Sequence, residues 1–180
     1  METAGKITFR QLQPTDLPLL HRWLNTPHVS QWWTIDGRPN PSLEAVTAKY
    51  SPRILKKEAV DCYFFQCDGC DIGMIQAYDL DDFPAEKLTF EVEGKCIGLD
   101  LCIGEAAYVH RGLGSQIIRS FLRDIVFASP QVEYAVIDPQ KENKIAIRAY
   151  EKAGFKYLRT VWYEPDKKYE NIMAISKSEI

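Results

Sequence analysis

No stretch of this 180-residue chain approaches the roughly 20 consecutive apolar residues that cross a bilayer, and no repeat or low-complexity tract is present. The start, Met1-Glu2-Thr3-Ala4, has no apolar segment behind it, so export is not expected. Histidine is scarce. His21, His28 and His110 show no ligand spacing, and no metal site is expected. Five cysteines make an odd number with no framework spacing; Cys67-Asp68-Gly69-Cys70 is formally C-x-x-C, but it has no second pair and lies far from any histidine. A disulfide scaffold is not expected, and a reduced, cytoplasmic protein is. The 22 Lys and Arg do not outweigh the 25 Asp and Glu, and they form no basic stripe, which argues against a nucleic-acid partner. There is no G-x-x-x-x-G-K-[ST], so a nucleoside triphosphate gripped by a lysine is not expected, and the glycine triplet of the dinucleotide fingerprint is incomplete.

What is present is the material of a full core. At 46% apolar residues, with four Trp, eight Phe and nine Tyr, residues 1–180 are expected to form one domain. Alternation predicts strands at Ile7 to Leu12, Asp61 to Cys67, Asp71 to Tyr78, Cys96 to Gly104, Glu133 to Ile137, Tyr157 to Trp162 and Asn171 to Ile175. Asp68-Gly69 is a two-residue hairpin signal. Helical spacing predicts a short helix opened by Pro14 and ended by Pro27, with Leu17, Leu20, Trp23 and Leu24 inside. A second is capped by Ser42, a third runs from the glycine turn to about Phe127, and a fourth covers Asn143 to Ala153. The order implies an α/β fold with a mixed sheet and helices on both faces.

The segment His110-Arg111-Gly112-Leu113-Gly114-Ser115-Gln116 carries the most chemistry. Two glycines open an amphipathic helix bearing Leu113, Ile117, Phe121 and Ile125, and a helix N-terminus presents amide N–H groups to an anion. A pyrophosphate held by backbone amides fits; ordinary loop glycines with positive φ fit the same spacing.

Two carboxylates stand out. Gly98, Asp100 and Cys102 share the strand face opposite Ile97, Leu99, Leu101 and Ile103, and a mid-strand carboxylate is costly unless solvated, paired or functional. Asp138 closes the next strand just before Pro139, and strand C-termini in such sheets collect ligands. Asp79, Asp81, Asp82, Glu86, Glu91 and Glu93 make an acidic stretch read either as a solvated loop or as a wall that attracts a polyamine-like cation. Trp32 and Trp33 cannot both face one core if extended, so at least one lines an acceptor pocket or lies as a lid over apolar residues. Tyr150, among Ala146, Ala149 and Ala153, fits a core position by pattern alone.

Taken together, Gly98-Leu99-Asp100-Leu101-Cys102-Ile103-Gly104, Arg111-Gly112-Leu113-Gly114, Asp138-Pro139 with Asn143, and Ala146 to Phe155 resemble the core of GNAT acetyltransferases. Within that superfamily the chain most resembles the aminoglycoside 6'-N-acetyltransferases, including Arg10, Asp16, Trp23 and Trp32-Trp33. Siderophore-biosynthesis N-acyltransferases share much of the C-terminal pattern. The resemblance implies the GNAT fold, with six or seven strands, and acetyl-CoA as cofactor. Its pyrophosphate would lie at Arg111, Gly112, Leu113, Gly114 and Ser115, its pantetheine arm along a splayed strand at Leu101, Cys102 and Ile103, with Asn143 nearby. It also implies Tyr150 as general acid at the thioester sulfur, Asp100 as base, and Asp100 and Asp138 as contacts for the amines of a cationic acceptor, an activity of antibiotic resistance. The family's usual Gln or Arg three residues before the first glycine is Val109 here.

The residues support the chemistry independently. A primary amine with pKa about 9 to 10 must lose a proton before attack, and an adjacent carboxylate both holds the ammonium and takes that proton. The rivals are a siderophore-type N-acyltransferase acting on a hydroxylamine or amine and a non-catalytic acyl-CoA-binding module, which would need only the glycine turn. Whether the chain is a monomer or a homodimer is left open.

Overall fold

The computed structural model describes residues 5–164 and 167–180, so the Met1 to Ala4 start, on which the export reading rests, lies outside the described residues. Seven strands are β1 (Ile7–Gln11), β2 (Val60–Cys67), β3 (Cys70–Asp79), β4 (Cys96–Ile103), β5 (Tyr134–Ile137), β6 (Lys156–Tyr163) and β7 (Lys168–Ser176). They form one sheet in the order β1-β2-β3-β4-β5-β7-β6. The sheet is mixed: β4 and β5 run parallel, whereas β1 with β2, β5 with β7 and β6 with β7 run antiparallel. Among the described residues, six helices flank it: α1 (Leu17–Leu24), α2 (Pro27–Ser30), α3 (Leu43–Ile54), α4 (Pro84–Phe90), α5 (Leu113–Phe121) and α6 (Lys144–Ala153). This is the GNAT arrangement. Contacts divide the chain into two compact units, Met1–Gln76 with Leu101–Leu113, and Ala77–Asp100 with Gly114–Ile180.

In the first unit, α1 buries the expected Leu17, Leu20, Trp23 and Leu24. It ends before Pro27, which opens α2 instead of stopping α1; at a first helical position the missing N–H costs nothing. Ser42 Oγ accepts the Ala45 N–H at 3.1 Å and caps α3. Between β2 and β3, Asp68 and Gly69 have φ of 51° and 82°, the two positive values of a type I′ hairpin. Arg10 ties β1 to Asp16 at 2.7 Å and to Asp71 at 2.6 Å.

The second unit is built around Leu80, Phe90, Cys96, Val136 and Ile172. The acidic stretch, read as either a solvated loop or a cation-attracting wall, folds into a 3-10 turn, Leu80–Asp82, and α4. Of α4 only Phe90 is buried, so there was no apolar stripe to read; Pro84 at the first turn starts the helix, and Glu91 in the left-handed region ends it. The helical run of α5 continues as a π-helical turn, Leu122–Val126. Asn143 caps α6 through its side-chain oxygen, and Gly154, with φ of 107°, terminates it. Among the described residues, no helix is long and apolar enough to cross a membrane.

Candidate active site

In the second unit the structure gathers carboxylates from four elements around one tyrosine. Asp100 comes from β4, Asp138 follows β5, Glu86 lies on α4 and Glu170 on β7, and all four interact with Asp138 or Tyr78 of β3. The pairing of β5 with β7 explains how Asp138 meets Glu170. Its register sets Ile137 opposite Met173, and beyond Pro139 it resumes with a bridge between Gln140 and Glu170. Pro139 has no N–H to give, but its carbonyl accepts from Asn171 N at 2.9 Å. Asp138 and Glu170 are therefore diagonal neighbours on one side of the ladder.

Electrostatics in this cluster favour a proton or another cation. Loss of hydration, then the negative charges of Asp100, Glu170 and Glu86, push the Asp138 carboxyl well above the usual carboxylate range. Glu170 acts on Asp138 through its charge and at hydrogen-bond range, and both effects raise the Asp138 carboxyl. Desolvation and the charges of Asp100, Asp138 and Glu86 likewise raise the Tyr78 phenol, which stays protonated and able to donate. A fixed positive charge placed here would offset the mutual repulsion of these carboxylates.

The outer acidic residues are engaged elsewhere. Asp79 pairs with Lys95 and accepts the Asp81 N–H at 3.0 Å, Asp81 pairs with Lys87 and Lys95, and Glu91 pairs with Arg159. The stretch is thus offset by Lys95 and Arg159 as well as Lys87, which weakens its long-range field.

The two glycines of the turn serve different ends. Gly112 has φ of 75°, and a Cβ built there would meet nothing within 4 Å, so the space above the turn is open. Gly114 is needed for packing: a Cβ there would lie 3.3 Å from that of Ala149 on α6. His110 also adopts positive φ, 63°, which strains a residue with a side chain. Arg111 stacks its guanidinium over Tyr108 at 5.7 Å. Leu113 is buried as the first residue of α5, and Ser115 follows in the same turn. On α6, Tyr150 is buried beside Phe155, with ring centroids 6.2 Å apart. The oxygen of Asn143 is used by the Ala146 N–H at 3.1 Å.

The pairing of β4 with β5 covers only Cys96 to Gly98 of β4. Leu101, Cys102 and Ile103 lie beyond it, in the first unit. There Trp33 donates its indole N–H to the buried Tyr50, whose neighbours include Cys62 and Cys102. The Arg53 guanidinium lies over the Tyr50 ring at 5.4 Å and donates to Gln76 and Glu58, each at 2.8 Å. Trp33 is thus anchored from below by a buried polar network. Trp32 and Trp33 both donate backbone N–H groups to Val29 O at 2.9 Å. All five cysteines are free thiols, and burial pushes that of Cys62 up to about 11. Among the described residues, no group of three or more His, Cys, Asp or Glu could hold a metal.

Glu170 and Tyr78 went unnoticed in the sequence. Glu170 lies just before the expected start of the last strand, at Asn171; extending the alternation one step upstream would have put it on the side of Ile172. Tyr78 was legible only through Gly98, whose missing side chain makes room for its ring.

Comparison with known proteins gives the same direction. Residues 13–163 match the acetyltransferase (GNAT) domain. The chain is 32% identical over 155 residues to aminoglycoside N(6')-acetyltransferase type 1 of Klebsiella pneumoniae, covering 86% of this chain and 76% of that protein. It is also similar, at 24% identity over 149 residues, to the lysine N-acyltransferase MbtK of Mycolicibacterium paratuberculosis, over 79% of this chain and 62% of that one. The crystal structure of aminoglycoside acetyltransferase AAC(6')-Ib in complex with coenzyme A and kanamycin superposes with a TM-score of 0.80 at 30% identity, covering 97% of this chain and 96% of that one.

Proposed function

Because the chain belongs to the GNAT acetyltransferase family, we propose that it transfers the acetyl group of acetyl-CoA to the 6'-amine of an aminoglycoside, directly, with both substrates held together. That it is an acetyltransferase using acetyl-CoA follows from its relationship to enzymes solved with coenzyme A; the aminoglycoside is our reading. The observation that carries it is the cluster of Asp100, Asp138, Glu86 and Glu170, whose charge suits an acceptor bearing several ammonium groups.

The chain's residues fit the cofactor. The open space over Gly112 and the N-terminal amides of α5 suit a pyrophosphate, and Arg111 adds positive charge. Backbone groups of Leu101 to Ile103, past the paired part of β4, suit the amides of the pantetheine arm. When bound, acetyl-CoA supplies the acetyl group as a thioester. Asp100 holds the acceptor ammonium and takes its proton; Asp138 and Glu170 orient the remaining charge. The Tyr150 hydroxyl keeps a proton available for the departing sulfur, worth about 10- to 1,000-fold in rate.

The test is an acetyl-CoA turnover screen, followed by free-thiol release, against kanamycin-type aminoglycosides and hydroxylamine acceptors. Aminoglycoside turnover is expected. Turnover of hydroxylamines alone would transfer the reading to the siderophore-type N-acyltransferases, and binding without any turnover to a non-catalytic module. In the active enzyme, Tyr150→Phe should lower kcat by about 10- to 1,000-fold with little change in acetyl-CoA affinity.

A further inference from the structure

The end of β4 is held in place by side chains that the proposed mechanism leaves unused. His28 Nε2 lies 2.9 Å from the carbonyl oxygen of Ile103, the last residue of the strand. A carbonyl only accepts, so Nε2 carries the proton and donates. The residues just beyond are fixed as well. Gly104 N and Glu105 N donate to Ile72 O at 2.8 and 3.1 Å. The Trp23 ring fills the space where a side chain at Gly104 would stand. Glu105 Oε1 accepts from Trp23 Nε1 at 2.9 Å and also pairs with Arg22.

The edge of β4 on which His28 acts follows from strand geometry. Gly104 N donates to Ile72 O, so the backbone groups of 104, and of 102 two positions before it, point toward β3. In a strand the hydrogen-bonding direction alternates, so those of Leu101 and Ile103 point to the opposite edge. That is the edge toward β5, left past the pairing at Gly98, where the arm is read to lie. An arm carrying two amides could slide along such an edge by one repeat, and a shift of that size would misplace the thioester. His28 occupies the last carbonyl of the edge and leaves one register for the arm.

We propose that His28 is a positioning residue for coenzyme A, fixing the register of the pantetheine arm on β4 by occupying the Ile103 carbonyl. This rests on the reading that the arm lies along Leu101 to Ile103. His28 stands on α2, a single turn opened by Pro27 and followed, after Gln31, by Trp32 and Trp33. The same contact therefore ties the strand end to the aromatic segment.

The experiment compares coenzyme A with 3'-phospho-ADP, which carries the pyrophosphate and lacks the arm, by calorimetry on wild type, His28→Leu and His28→Gln. Losing one such hydrogen bond should weaken coenzyme A about five- to tenfold, leave 3'-phospho-ADP unchanged, and raise the KM for acetyl-CoA more than that for the acceptor. Gln, whose amide can reach the same carbonyl, should restore most of the loss. Unchanged coenzyme A affinity in His28→Leu overturns the proposal; an equal loss for both ligands does so too, because it would mark a general disturbance of the turn. If His28→Leu does not fold, His28→Asn, one bond too short to reach Ile103, carries the comparison with Gln. If wild type binds coenzyme A no more tightly than 3'-phospho-ADP, the arm's placement on β4 fails first, and that result is separate from any effect of His28.

Discussion

Gly98 lies beneath the ring of Tyr78 so closely that a Cβ at Gly98 would stand 2.5 Å from Tyr78 Cε2. The glycine is what lets a tyrosine of β3 reach the carboxylates of Asp100 and Asp138. Gly98→Ala should displace the ring, cost about 1 to 3 kcal/mol of stability, and raise the KM of the acceptor more than that of acetyl-CoA. Steady-state kinetics with each substrate varied, beside a denaturant titration, would check this; equal changes in both KM values would remove Tyr78 from the acceptor pocket.

Asp138 should cost the protein stability. Its carboxyl is raised by desolvation and by its acidic neighbours, so between the ordinary carboxyl pKa and the raised value the folded state holds a proton that the unfolded state has lost. Stability therefore falls as pH rises through that window. Asp138→Asn removes the slope, and its Tm at neutral pH should exceed wild type by about 2 to 5 °C, while the two converge in acid below the ordinary carboxyl range. Activity should fall in the same variant. A lower Tm at neutral pH would show that the cluster is not repulsive.

The glycine turn separates binding from packing. Gly112→Ala places a side chain at φ of 75° in open space, which should cost about 1 to 2 kcal/mol and weaken coenzyme A. Gly114→Val instead presses on Ala149 and should lose more stability. Calorimetry with 3'-phospho-ADP and thermal melts on both variants would reveal the division, and identical profiles would argue against it.

Neutralising the inner and outer acids should have unequal effects. Glu170→Gln is expected to raise the acceptor KM about tenfold, the scale of one lost charge-assisted contact. Asp81→Asn, already offset by Lys87 and Lys95, should change it by less than about twofold, because exposed pairs contribute little. The same ranking should appear in salt, with a steeper rise in KM for a tetracationic acceptor than for a monocationic one. An outer variant as impaired as Glu170→Gln would restore the acidic stretch as the attracting wall.

Much of the fold could be read before any coordinates. Strands announce themselves by alternation, and Asp68-Gly69 fixes the hairpin because few other dipeptides accept two positive φ values. What escaped was α4, a helix that carries one buried side chain and so has no stripe, and whose start depends on a proline. The pairing of Asp79 and Asp81 with Lys95, and of Glu91 with Arg159, escaped as well; a charge count that ends at Glu93 stops short of Lys95 and does not see Arg159 brought in from β6. Glu170 was hidden by one residue of strand boundary. The β4 alternation was the informative part of the site, since it set Gly98 and Asp100 on one side and left room for Tyr78 there.

The bridge between Gln140 and Glu170 hangs two of the acidic side chains on the ladder of the sheet rather than on a loop. Loops change by gaining and losing residues; a ladder does not, because one inserted residue turns every following side chain to the wrong side. Descendants of this chain that shift to a new acceptor should therefore do so by exchanging side chains at positions 138 and 170 at constant length, and a set of relatives with different acceptors should align through this ladder without gaps.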